Sequence, residues 1–280
     1  MSAPTGASAG QIGLVLGAAG AFLLGGGFSA AYLRKASNPL RLTAKAMAYF
    51  GICLGLAALI WRSVVRGRWM PLEDNFEAMA TLALLLAVFT LYVQRAKQIP
   101  GLDWFLMPIV IVMLGCSALL GIFHPGSYEP GGIWDLAHRA SSFAGAAAFG
   151  VAAGVGAMYL IASARLRRKA AIGDGPPVSL ERLENLTHWA VSFGFALLTV
   201  GIVTGLAKIM QRGPHTVLGP HWITSPKVIL TFCVWVVYAV ALHTPITPAV
   251  RGRKSAMLSI VGFVLMVATL IAVLHLPTER

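Results

Sequence analysis

The chain has 280 residues, is 57% hydrophobic and only 11% charged, and has a mean hydropathy of +0.76. No soluble domain of this size hides that much apolar surface in one core, so the sequence describes an integral membrane protein. Its formal charge of +12 then reads as cations in short loops that set topology, not as a nucleic-acid surface.

Apolar runs long enough to cross a bilayer as helices recur eight times, at about 11–33, 44–65, 76–94, 102–123, 138–163, 188–210, 226–243 and 255–276. The expected fold is therefore all-α: a polytopic transmembrane helical bundle forming one membrane domain over 1–280. The first ten residues carry no Lys or Arg, so the first run reads as a true span and not as a cleaved signal. Gly13 with Gly17, and Gly150 with Gly154, repeat the spacing that lets helices approach closely in lipid. Pro108 should kink the fourth span. The segment "SLERLENL", with Leu180, Leu183 and Leu186 on one stripe, reads as a short interfacial helix feeding the sixth span.

The odd-numbered loops, among them "RKASNPLR", "RLRRKAAIGDGPP" and "TPAVRGRK", carry the excess of Lys and Arg. That bias puts them on the cytoplasmic side and both termini outside. The second loop dissents, with Arg62, Arg66 and Arg68 nearby. Glu77 reads as an acid that suits the start of a helix.

No phosphate-binding loop, nucleophile elbow, zinc-protease motif or heme-attachment CxxCH is present, and the three cysteines have no ligand spacing. Histidine remains. A neutral imidazole suits an axial position on heme iron, and the competing reading for each is an interfacial side chain bonded to backbone or headgroup. His138 opens the fifth span and His275 closes the eighth, so both are expected at the same outer depth. His243 ends the seventh span, about 26 Å from Pro226 at 1.5 Å per residue, so it and His221 cannot share one metal and belong to different sites or to none. His124, His215 and His221 are loop residues beside Pro or Gly. Trp222 is either an aromatic-belt anchor or a shelf for a planar ligand.

"SLERLENLTHWAVSFGFALLTVGIVTG" followed by "PKVILTFCVWVVYAVALHTP" resembles the CcsA/ResC/CcmC cytochrome c assembly family. "PLEDNFEAM" and "GLDWFLMPI" are similar to its upstream motifs, and the resemblance runs from about residue 60 to the end, most specific over 179–244. The tryptophan-rich outer loop, 212–226 here, is degraded: Trp222 stands alone where the family has several indoles and an aspartate. His188 stands where tyrosine is usual, and Asp74 and Phe76 replace Asn and Tyr. The resemblance implies heme b held by His138 and His275 near Trp222 outside, and a second site at His243. It also implies a ResB/CcsB-type partner subunit, apocytochrome c as recipient, a bacterial plasma membrane, and a role as a subunit of a cytochrome c heme lyase without a catalytic motif of its own. The eroded loop raises a related reading, a HemX-type protein regulating heme synthesis. A transporter of another solute is a third, against which the spans hold few ionisable residues.

Overall fold

The computed structural model describes residues 7–35, 37–67, 74–96, 99, 101–123, 132–167, 179–212, 225–244 and 252–275. Among these there are eight helices and no strand: α1 (Ala9–Arg34), α2 (Asn38–Arg66), α3 (Asn75–Ala96), α4 (Leu102–Phe123), α5 (Gly132–Arg167), α6 (Leu180–Arg212), α7 (Pro226–Leu242) and α8 (Arg253–His275). By length and composition, α1 to α6 are able to cross a membrane, and α7 is a shorter apolar helix. The helices fall into two compact units, one of residues 1–130 with 165–178 and one of 131–164 with 179–280.

In the first unit α1 to α4 pack as neighbours in sequence, with α4 closing back on α1. Ser8 and Gln11 form a reciprocal capping box at the start of α1, satisfying amides that would otherwise lack partners. Close approach of α1 and α2 depends on glycine. A Cβ at Gly51 would stand 3.2 Å from the Ala18 carbonyl, and one at Gly25 the same distance from that of Ala44. Gly13 meets nothing within 4 Å, so it takes no part in this seam, while Gly17 touches Leu54. At the α3–α4 contact, the Ser117 hydroxyl donates to the Phe76 carbonyl at 2.8 Å.

The second unit packs α5 to α8 around Phe149, Val191, Leu198, Val234, Tyr238 and Met266. The Phe149 and Tyr238 rings stack with centroids 3.4 Å apart, and the Tyr238 hydroxyl donates to the Ser259 carbonyl of α8. Trp235 ties α7 to α6 through Nε1–H to Thr199 Oγ1 at 3.1 Å. A polar group this deep in an apolar bundle has to find a partner inside it, and each of these does. "SLERLENL" is continuous with α6, which runs unbroken from Leu180 to Arg212. The expected separate interfacial helix is instead that helix's first two turns.

Candidate functional site: the histidine end of the second unit

α5 and α6 run antiparallel, and their facing residues form a ladder. Phe149 lies against Gly194, Ser142 against Gly201, His138 against Gly205, and Asp135 against Lys208. Glycine at 194, 201 and 205 makes this possible, because a Cβ would stand 2.6 Å from Phe149, 2.9 Å from Ser142 Oγ and 3.0 Å from the imidazole respectively. The sixth span therefore carries its small residues on the face that receives α5.

His138 lies in the second turn of α5, not at its first residue, because the helix begins six residues earlier at Gly132. Its ring is half-buried, and Nδ1 is 2.7 Å from the Gly201 carbonyl oxygen. A carbonyl can only accept, so the bonded Nδ1 carries the proton, and in the neutral ring the lone pair is on Nε2. This is the usual device for orienting an imidazole toward a metal. One turn nearer the helix end, the Asp135 carboxylate, 1% exposed, is ion-paired with Lys208 of α6.

His275 closes α8, and its side chain lies outside the described residues. Its backbone level follows from packing. Gly156 of α5 lies against Ala256 of α8, and His138 and His275 lie about 27 Å and about 28 Å from those residues along their antiparallel helices. Both thus reach the same end of the unit. His243 caps the C-terminus of α7 at the opposite end, exposed, with Nδ1 2.7 Å from the Ala239 carbonyl. That bond fixes the same tautomer as in His138. Trp222, His124, His215 and His221 lie outside the described residues.

Sequence reading missed two charged groups. Glu77 does more than suit a helix start. Arg62 Nε and Arg66 Nη1 donate to it at 2.7 and 2.8 Å, Arg66 Nη2 donates to Asp74 at 2.8 Å, and Arg62 also pairs with Asp74 and donates to Gln11. Arg62 is 3% exposed, so it is a buried helix residue and not a loop cation. The signal was present: cations at i and i+4 closing one span, acids at i and i+3 opening the next. Asp135 and Lys208 were legible in the same way, as opposite charges inside two adjacent apolar helices.

No three His, Cys, Asp or Glu side chains gather to hold a bare metal ion among the described residues. A single oriented imidazole nitrogen, set in an apolar helix pair, fits an axial position on a porphyrin iron better than it fits an all-protein ion cage.

Apolar helices in two bundles, six of them long and apolar enough to cross a membrane, define a polytopic membrane protein. Residues 72–276 match the family model described as Cytochrome C assembly protein. The chain belongs to that family. It is 28% identical over 214 residues to the cytochrome c biogenesis protein CcsA of Microcystis aeruginosa, covering 70% of this chain and 62% of that one. It is 30% identical over 210 residues to CcsA of Prochlorococcus marinus strain NATL2A, with the same coverage. This chain thus spans a little under two thirds of those relatives. Among solved structures, the cytochrome c heme lyase CcmF matches with a TM-score of 0.63 at 17% identity, covering 95% of this chain and 49% of that one. That likeness concerns the fold.

Proposed function

We propose that this protein holds heme b at the outer face of a bacterial plasma membrane and presents it to apocytochrome c, together with a ResB/CcsB-type partner subunit. His138 and His275 are the axial ligands of the outer heme, Trp222 lies beside it, and His243 serves a second site at the opposite end. The observation that carries this reading is the His138 ring, whose Nδ1–H is taken by the Gly201 carbonyl so that the lone pair of Nε2 is available for iron. Family membership supports it. The chain's own part is to bind and orient. Iron porphyrin supplies the reactive macrocycle, and the thioether bonds form at the recipient's cysteines.

The orientation draws support from the buried pairs. Arg62, Arg66 and Lys208 are on the side read as outer, and all three are paired with buried carboxylates. A neutralised cation inside a helix end has little topogenic weight, so the dissent of the second loop weakens and the odd loops keep the cytoplasmic side.

The test is an absorption spectrum of the protein in nanodiscs, titrated with hemin. His138→Ala and His275→Ala are expected to weaken one and the same Soret transition, each by about tenfold or more, that is by about 1.4 kcal/mol or more. His243→Ala should alter a separate component. Wild-type protein that ligates no hemin excludes the proposal. In cells, loss of c-type cytochromes on deletion supports it, whereas altered heme precursors with intact cytochromes favour the HemX-type reading.

A further inference from the structure

His188 of α6 has no part in the outer pair, yet it is level with His243. The contacts between α6 and α7 set the depths. Trp235 of α7 meets both Thr199 and Phe195 of α6, while Phe149 lies against Gly194 and stacks on Tyr238. Residue numbers thus fall along α6 as they rise along α7, and the two helices are antiparallel. His188 is seven residues from Phe195 and eleven from Thr199 toward the start of α6, about 10.5 and about 16.5 Å. His243 is eight residues beyond Trp235, about 12 Å, which falls between those two values. Both histidines therefore reach one depth, at the end of the unit opposite His138. They also meet on one seam, because His188, Ser192, Phe195 and Thr199 form a single helical stripe, and its last two members touch α7. The α7 helix ends at Leu242 with His243 as its cap, so no further turn of it stands opposite His188, while α6 runs on to Leu180.

The free nitrogens are there as well. The Ala239 carbonyl takes the Nδ1–H of His243 and leaves the lone pair on Nε2. The half-buried His188 ring has no hydrogen-bond partner among the described residues, which is costly at the border of a membrane span. On the reading that His243 serves a second site, the geometry points to His188 as the other protein ligand of that site. Two imidazoles, one from each helix, hold a single metal centre at the recessed end of α7. Neutral imidazole suits iron and copper alike, so the shared chemistry admits the iron of a porphyrin or a bare copper ion. With both ligands supplied by this chain, the inner site needs no side chain of a partner subunit.

The test uses the full chain in nanodiscs with two probes, hemin read by its absorption spectrum and Cu(II) read by electron paramagnetic resonance. In each, the component that His243→Ala removes is followed. His188→Gly is expected to lose or convert that same component, from two axial imidazoles to one with hemin, or from two coordinated nitrogens to one with Cu(II). Free imidazole should restore it by occupying the space of the missing ring, and the outer component that depends on His138 should stay unchanged. A response with either probe or with both supports shared ligation; hemin alone identifies a porphyrin iron, and Cu(II) alone a bare ion. His188→Gly indistinguishable from wild type with both probes overturns the inference and leaves His243 standing as a ligand. A loss that imidazole fails to restore also overturns it, since a merely structural role of His188 gives that result. Absence of any component dependent on His243 removes the second site and this inference together, while the outer site still rests on His138 and His275.

Discussion

Arg62→Ala should lower the thermal midpoint of the detergent-solubilised protein by about 10 °C, because removing one partner from a buried ion pair costs about 3–5 kcal/mol. Arg62 is shared by three helices. It pairs with Asp74 and Glu77 at the start of α3, donates to Gln11 of α1, and sits over the Phe76 ring at 5.1 Å. Its loss leaves two carboxylates, each about one tenth exposed, with Arg66 as their remaining cation. Deleting charges on both sides should cost much less, since a desolvated pair and an apolar replacement are close in free energy. Arg62→Met combined with Glu77→Gln is therefore expected to recover most of the lost midpoint. The measurement is thermal unfolding followed by near-ultraviolet circular dichroism. A single substitution that moves the midpoint by less than about 2 °C would mean the quartet contributes no more than an exposed pair does.

Hydropathy carried the fold a long way and then stopped at the helix ends. All eight apolar runs contain the middle of a helix, because twenty apolar residues in lipid have no other way to satisfy their backbone. The ends differ. The run at 138–163 is the apolar stretch of a helix that spans Gly132–Arg167, and the run at 188–210 that of Leu180–Arg212. The added turns carry charges, Asp135 in one and Glu181, Arg182 and Glu184 in the other, and an apolar window stops at them. This is why His138 was placed at a span's opening when it lies a turn and a half inside, with Asp135 before it. The glycine pairs show a related limit. The spacing of Gly13 and Gly17 fits close packing, yet Gly13 faces open space, and Gly25 of α1 and Gly51 of α2 make the close approach instead. Spacing within one helix says that a face is small; which neighbour uses that face depends on the partner's position, which no local pattern contains. The histidines were legible as residue types at span ends. The Gly201 carbonyl that fixes the His138 tautomer was not, because it lies 63 residues away on another helix.

Gly205→Val should cost the His138 site more than it costs the fold. A Cβ at this position would stand 3.0 Å from both Nδ1 and Cε1 of the ring, and valine adds two methyl groups beyond it on a helix where its rotamer is restricted. The imidazole has to yield, since the competing movement is of the α6 backbone. Displacing the ring breaks the 2.7 Å bond to Gly201 and with it the preference for the proton on Nδ1. Hemin affinity at the outer site is then expected to fall by about tenfold or more, from the loss of one orienting hydrogen bond and of ring position together. Nitrogen-15 spectra of histidine-labelled protein give an independent readout. Wild-type His138 should show a protonated Nδ1 and a lone-pair Nε2, and the variant a mixture. The thermal midpoint should drop as well, by the ~1–3 kcal/mol typical of overpacking, well short of unfolding at 25 °C. Gly13→Ala, at a glycine with nothing within 4 Å, is the matched control and should leave the spectra unchanged. Unaltered ligation and tautomer in Gly205→Val would mean that the α5–α6 ladder does not position the ring, and the geometric case for His138 as an iron ligand would fall with it.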